Sequence, residues 1–167
     1  AMELIEQGGI TIVAGTPAMY ADLVHELERR GTSLTATALR VCLCAGRRLP
    51  VPLQDSWFAL TGTELRQGYG VTEAAPLCLF NPPHFPNRRG TLGIPFPGVE
   101  VTIRDPCTSA ALPQGTEGEI SVCGDNVFRG YLRDSDAGLK VRAGWLHTGD
   151  RGRERADRTF EWLGRIE

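Results

Sequence analysis

The sequence predicts an α+β fold: a partial parallel α/β layer of about three strands with helices, followed by a distorted antiparallel β-sheet or open barrel. Two observations carry this. Before residue 74, short β-branched runs alternate with amphipathic segments, and a β-α-β-α-β order implies parallel strands joined by right-handed crossovers. After residue 74, helical periodicity gives way to short alternating runs between Gly and Pro turns, the signature of antiparallel pairing. The expected organisation is a partial α/β subdomain over 1–74, a loop connection over 75–90 and a β-rich subdomain over 91–167.

Each element has a local cause. GGITIVAGT is a short β-branched run suited to a buried strand. Thr16 can cap a helix whose first turn holds Pro17, where a missing N–H costs nothing. Tyr20, Leu23, Val24 and Leu27 then fall on one helical face, and Gly31 closes the helix after the basic pair Arg29 and Arg30. LRVCLCAG reads as a second buried strand, with Cys42 and Cys44 on one face as small hydrophobes. Leu53, Trp57 and Leu60 mark a second helix ending at Gly62, and ELRQGY a third strand. AAPLCLFNPPHFPNRRG is Pro-rich and reads as loop. VEVTIRD alternates, with Val99, Val101 and Ile103 on one side, and GEISVCG and FEWLGR are further strands.

Bulk properties exclude several classes. The 167 residues suffice for a real core, and 41% apolar with 23% charged residues is ordinary for a globular protein. With 18 basic and 20 acidic side chains the net charge is −2, which offers no footprint for nucleic acid or an anionic membrane. No apolar run has the length of a membrane span, and AMELIEQGG lacks the pattern of a signal peptide. Ala1 before Met2 reads as a vector remnant. Cys42, Cys44, Cys78, Cys107 and Cys123 are odd in number and show no CxxC spacing, against both a zinc site and a disulfide framework. Free thiols with no secretion signal predict a cytoplasmic setting.

Two stretches carry candidate chemistry: QGYGVTE at 67–73 and HTGD at 147–150. Alone, the first reads equally well as a tight turn, because Gly68 and Gly70 can adopt positive φ. Its place after the third parallel strand favours a site, since open α/β sheets bind ligands at the carboxyl ends of their strands. QGYGVTEA resembles the signature loop of the adenylate-forming superfamily, which includes acyl-CoA synthetases, coumarate-CoA ligases, luciferases and peptide-synthetase adenylation domains. ITIVAGTPAMYADLV, LRVCLCAGRRLP, GTLGIPFPGVEVTIRD, LPQGTEGEISVCGDNVFRGYL, GWLHTGD and WLGRIE are similar to family segments in the same order, along the whole chain. The glutamine of QGYG is closer to the acyl-CoA synthetase and luciferase branches.

The resemblance implies a two-step reaction. A carboxylic acid is activated by ATP as its acyl-adenylate, and CoA or the phosphopantetheine of an acyl carrier protein then takes the acyl group. By motif position, Tyr69 would lie against the adenine, Gln67 would offer its amide near the adenine edge, and Gly46, Gly68 and Gly70 would let backbone approach the nucleotide. Thr72 would hydrogen-bond the α-phosphate and Glu73 would help hold Mg²⁺. Asp150 would accept the ribose hydroxyls, Arg165 would reach the same ribose, and Ala74 and Ala75 would border the acyl pocket. Taken singly, Tyr69 could be a core aromatic, Thr72 and Glu73 helix-start residues and Asp150 a turn cap; the matching order of motifs favours the site. Gln67 and Arg165 stand equally well on either account.

Departures from the family pattern matter too. The family's phosphate loop, rich in Ser, Thr and Gly, and its C-terminal domain with its lysine have no counterpart in these 167 residues, so the chain reads as the later part of the large N-terminal domain, ending at the hinge. Such a piece is expected to be inactive alone and to self-associate through an exposed sheet. Arg47 and Arg48 stand where relatives carry small residues or proline; they read either as a cationic wall for an extra substrate carboxylate or a CoA phosphate or, the favoured reading, as solvent-facing. Arg151 and Glu167 also depart from the usual residues. His84 reads as a loop residue and His147 as structural. The alternative function is a non-catalytic module binding AMP or acyl-adenylate, or serving only as an interaction piece.

Overall fold

Thr16 begins the first long helix as its sequence requires. The residue is extended and its side-chain oxygen accepts the Met19 N–H at 3.4 Å, with Pro17 at the first helical position. At the far end Gly31, at φ 63, lets the Gly31 and Thr32 N–H groups turn back to the Glu28 and Leu27 carbonyls. The computed structural model describes residues 2–35, 38–131 and 140–166. It divides into two compact units, Ala1–Gly68 with Asn81–Gly90, and Tyr69–Phe80 with Thr91–Glu167.

The first unit holds α1 (Met2–Glu6), β1 (Ile12–Gly15), α2 (Pro17–Arg30), β2 (Val41–Cys44), α3 (Val51–Thr61) and most of β3 (Leu65–Tyr69). The pairings β1 with β2 and β2 with β3 are both parallel, as the alternation of strand and helix predicts. Cys42 and Cys44 are fully buried in one core with Tyr20, Leu27, Trp57 and Leu65. Burial pushes these two thiols up to about 11 and about 12. Tyr20 meets Trp57 edge-on at 4.8 Å between centroids and donates its hydroxyl to the Val13 carbonyl at 2.8 Å. The opposite sheet face is thinly covered: Ile12 is 61% exposed, and its register partner Val41 is only half-buried.

Two buried polar side chains clip the loops of this unit. The Gln54 amide donates to the Leu65 carbonyl at 2.7 Å and accepts the Gly90 N–H at 3.1 Å. Arg66 donates to the carbonyls of Pro82, Pro83 and Phe85, so one guanidinium holds a proline-rich stretch that is poor in backbone donors.

In the second unit the chain leaves Tyr69 through a 3-10 turn at Thr72–Ala74, then forms β4 (Leu79–Phe80) paired antiparallel with β5 (Ile94–Pro95). A curled antiparallel sheet follows, built from β6 (Val99–Arg104), β7 (Glu117–Gly124), β8 (Val141–Arg142), β9 (Trp145–Glu154) and β10 (Phe160–Arg165). Its order is β10-β9-β7-β6, with β8 on β9. Val101, Ile103, Ile120, Val122, Leu146 and Phe160 fill one face together with Ala74, Cys78, Leu79 and Leu92. The architecture is thus the expected α+β class, a partly parallel sheet and a curled antiparallel half-barrel.

Sequence pattern missed α1, β4, β5, β8 and β9, and β9 is a correction of consequence. HTGD, singled out as a candidate site whose Asp150 could also be a turn cap, lies inside a strand of 10 residues. Gly152 hides this strand because an added Cβ would lie 2.6 Å from the Glu161 carbonyl oxygen and from Ile120, so close packing forbids the side chain that would reveal alternation. Among the described residues, no helix is long and apolar enough to cross a membrane.

Candidate functional site

The QGYG glycines are not turn glycines. Neither Gly68 nor Gly70 takes positive φ. A Cβ on Gly70 would sit 1.4 Å from the Pro76 carbonyl oxygen, so that position is glycine because backbone returns directly across it. That return places the Cys78 N–H on the Tyr69 carbonyl at 2.8 Å. The loop from 70 to 78 is therefore closed against the end of β3, with Thr72 and Glu73 at its head and Ala75 in the left-handed region at φ 49.

Tyr69 joins the two motifs. Its hydroxyl donates to Asp150 Oδ2 at 2.7 Å, across 81 positions of sequence. Burial, and then the neighbouring carboxylate, raise the phenol well above its ordinary range, so it stays a donor. The other oxygen, Asp150 Oδ1, accepts the Trp162 indole N–H at 3.0 Å and Arg165 Nη1 at 3.0 Å. Asp150 is buried, yet both oxygens are satisfied by three donors.

A bulge makes that placement possible. Opposite the step from Glu119 to Ser121 on β7, β9 runs from Arg151 back to His147, so two extra residues are accommodated. Gly149 takes φ +73 inside it. Thr148 donates its hydroxyl to the Ile120 carbonyl at 2.7 Å and accepts the Asp150 N–H at 3.1 Å. Arg165 also donates to the Thr148 carbonyl at 3.2 Å, and lines an open cleft of about 620 Å³ with Pro106, Glu117, Gly118, Arg151 and Ile166.

Glu73 carries a second cluster. Lys140 Nζ lies 2.9 Å from Glu73 Oε1, and the Tyr131 hydroxyl donates to the same oxygen. The Lys140 ammonium and then the Tyr131 hydroxyl hold the carboxyl down to about 2, so it is ionised at neutral pH. An ionised carboxylate oxygen suits Mg²⁺, which takes one or two protein carboxylates and completes its shell with phosphate and water. No group of three or more His, Cys, Asp and Glu placed to hold a metal occurs among the described residues.

The remaining expected residues lie in the first unit. Gly46 stands in the turn after β2 at φ +87, with no atom within 4 Å of an added Cβ. The Gln67 amide is buried, donating to the Arg47 carbonyl and accepting the Leu49 N–H, each at 3.4 Å, so it holds the turn that follows Gly46. Arg47 and Arg48 are exposed, as expected. His84 is exposed beside Phe85, and His147 is buried on Glu119. Sequence reasoning missed Trp162, Glu119, Tyr131 and Lys140 as partners of site residues. Trp162 had a signal in the WLGR segment, whereas the other three carry none in their local pattern.

The chain is similar in sequence and fold to known proteins. A family model described as AMP-binding enzyme matches residues 1–132. Feruloyl-CoA synthase of Amycolatopsis sp is 33% identical over 168 residues, covering 99% of this chain and 33% of that protein. The 4-coumarate–CoA ligase CCL1 of Humulus lupulus is 35% identical over 159 residues, covering 90% of this chain and 28% of its own length. Among solved structures, ATP-bound MatB from Rhodopseudomonas palustris superposes with a TM-score of 0.84 at 31% identity, covering 93% of this chain and 31% of that one. The chain thus spans about a third of the length of the curated relatives it matches.

Proposed function

We propose a function from one premise: the chain belongs to the AMP-binding enzyme family, within the adenylate-forming superfamily. On this reading it is part of an ATP-dependent ligase that activates a small carboxylic acid as its acyl-adenylate and passes the acyl group to a thiol. The observation that carries the reading is the 2.7 Å hydrogen bond between Tyr69 and Asp150, which draws the two separated motifs into one cluster.

Each residue then has a task. Tyr69 offers its ring to the adenine while its hydroxyl steadies Asp150. Asp150 accepts the ribose hydroxyls and Arg165 flanks the same ribose. Thr72 addresses the α-phosphate, where charge is redistributed as the carboxylate attacks and pyrophosphate leaves. Mg²⁺, held in part by Glu73, supplies charge neutralisation across the phosphates when bound. Gly46, open at φ +87, leaves room for close backbone approach and Gln67 fixes the 47–49 turn beside it, whereas the space at Gly70 is taken by the Pro76 carbonyl that closes the 70–78 loop. Ala75, exposed at φ 49, leaves space beside the acyl group, whereas Ala74 is fully buried in the second core and supports the loop from beneath. CoA appears in the names of both curated relatives, and we take it as the acceptor ahead of a carrier protein's phosphopantetheine. Free thiols suit a cytoplasmic enzyme.

Titration with AMP tests the reading. Hydrogen bonds to a charged group contribute about 1.5–3 kcal/mol, so Asp150→Asn is expected to weaken AMP roughly 10- to 100-fold. Equal affinity in the two proteins would remove Asp150 from the site.

A further inference from the structure

We infer that Glu119 is a positioning residue for the ribose contact: its buried carboxylate fixes the Thr148–Gly149 bulge and so aims Asp150. The inference rests on the reading above, in which Asp150 meets the ribose.

Glu119 is 6% exposed and lies in the middle of β7, an expensive place for a carboxylate unless its oxygens are used. Both are. Oε1 accepts the Gly149 N–H at 2.8 Å, and Oε2 lies 2.6 Å from His147 Nδ1. The two contacts fall on either side of Thr148, so one rigid carboxylate spans the bulge from its first residue to its turning point. Without it, the Gly149 N–H would lose its acceptor inside the sheet. His147 depends on Glu119 to the same degree, because its Nε2 is buried and has no hydrogen-bond partner.

The geometry of Asp150 follows from this clamp. Asp150 precedes Arg151, the register partner of Glu119, so alternation turns its side chain to the opposite face, where it reaches Tyr69 and Trp162. The two extra residues between His147 and Arg151 form the bulge that leads into it. The bulge is tied from the other side by the Ile166 N–H on the Gly149 carbonyl at 2.9 Å and by Arg165 on the Thr148 carbonyl. Those ties come from the end of β10, whereas Glu119 comes from the centre of the sheet. The two cationic register neighbours of Glu119 are otherwise engaged or turned out: Arg104 stacks on Trp145 at 4.0 Å, and Arg151 is exposed. Glu119 is therefore kept for the bulge.

Ligand-observed NMR titration of this chain with AMP and with 2′,3′-dideoxy-AMP tests this, because the ratio of the two affinities isolates the ribose hydroxyls. The unmodified chain is expected to favour AMP about 10-fold or more, and Asp150→Asn to bring the ratio near one. Glu119→Gln keeps the shape but removes the charge and one of the two acceptor oxygens. It is expected to cut the ratio at least about threefold with dideoxy-AMP affinity unchanged, and to add nothing further in combination with Asp150→Asn. A folded Glu119→Gln protein with an unchanged ratio, or with equal loss for both ligands, overturns the positioning role while the ribose reading stands. An unmodified chain that binds neither nucleotide, or both equally, overturns the ribose reading and this inference together. Should Glu119→Gln not fold, Gly149→Ala serves. Its methyl at φ +73 would lie 3.3 Å from Arg165 Nη2, and the same loss of ratio is expected, an unchanged ratio again being fatal.

Discussion

At Asp150 a single carboxylate meets a phenol, an indole and a guanidinium, and those partners arrive from β3 and β10 rather than from its own strand. Tyr69 and Asp150 could be singled out in the sequence because each sits in a short motif that resembles a segment of the adenylate-forming superfamily. Glu119 and Lys140 were not, because their meaning lies in partners 30 and 67 positions away. Lys140 bears on metal binding. Its ammonium occupies the oxygen of Glu73 that a cation would otherwise share, so Lys140→Met is expected to tighten Mg²⁺ binding in the presence of AMP, followed by calorimetry; weaker binding would show that Lys140 assists the metal. The thiols give a second check at this scale. Cys42, Cys44 and Cys78 are buried with raised pKa values, whereas Cys107 is exposed and Cys123 partly so. Ellman's reagent at neutral pH is expected to label Cys107 rapidly, Cys123 more slowly and the other three only in denaturant. Rapid labelling of all five would mean the first core is not formed.

Helices α2 and α3 and the first three strands follow from caps, β-branched runs and period, all local causes. The strands missed are those whose reason is a neighbour: β9 carries Gly149 for its bulge and Gly152 for close packing, and β4 and β5 span only two residues each. Gly70 belongs to the same class, and its replacement is a sharp test. Gly70→Ala must push the Pro76 carbonyl off the end of β3, an overpacking that costs about 1–3 kcal/mol. Urea denaturation is expected to show that loss together with weakened AMP binding; a neutral substitution would mean the 70–78 loop is not closed. The β9–β10 pairing adds a pH dependence. Arg153 and Arg155 each donate to Glu161 at 2.8 Å, and the hydrogen bond from Arg153 above all holds that carboxyl below its usual range. A folded pKa below the unfolded one gives stability that is complete above the ordinary glutamate value of about 4.3 and is lost as pH falls through the folded value. Because both arginines are partly exposed, the contribution is screened and about 0.5 kcal/mol or less. Glu161→Gln is expected to flatten the acid limb of the stability curve by that amount, and an unaltered limb would assign acid sensitivity elsewhere.

On the scale of the whole chain, coverage of about a third of the relatives' length governs what these residues can do. One consequence is association. The parallel sheet of the first unit has β1 at its edge, and Ile12 stands open on the face away from its helices, so self-association is expected in sedimentation velocity and should weaken in Ile12→Lys. The other consequence is catalytic. Thr72, Glu73, Asp150 and Arg165 suffice on our reading to address AMP: α-phosphate, metal and ribose. Adenylation also requires that the departing pyrophosphate be held in line and its growing charge be met by fixed donors, since phosphoryl-type chemistry depends almost wholly on such positioning. In the adenylate-forming resemblance those donors belong to a phosphate loop and a C-terminal domain, neither of which is recognised among these 167 residues. Losing one preorganised donor of this kind costs about 10²–10³ in rate, and several are lost together. These residues alone are therefore expected to bind AMP and acyl-sulfamoyl adenosines weakly, with little preference for ATP. Pyrophosphate exchange is expected to stay at background across fatty, aryl and short-chain acids. Exchange above background that disappears in Glu73→Ala would mean that the charge on pyrophosphate is met by groups within this chain.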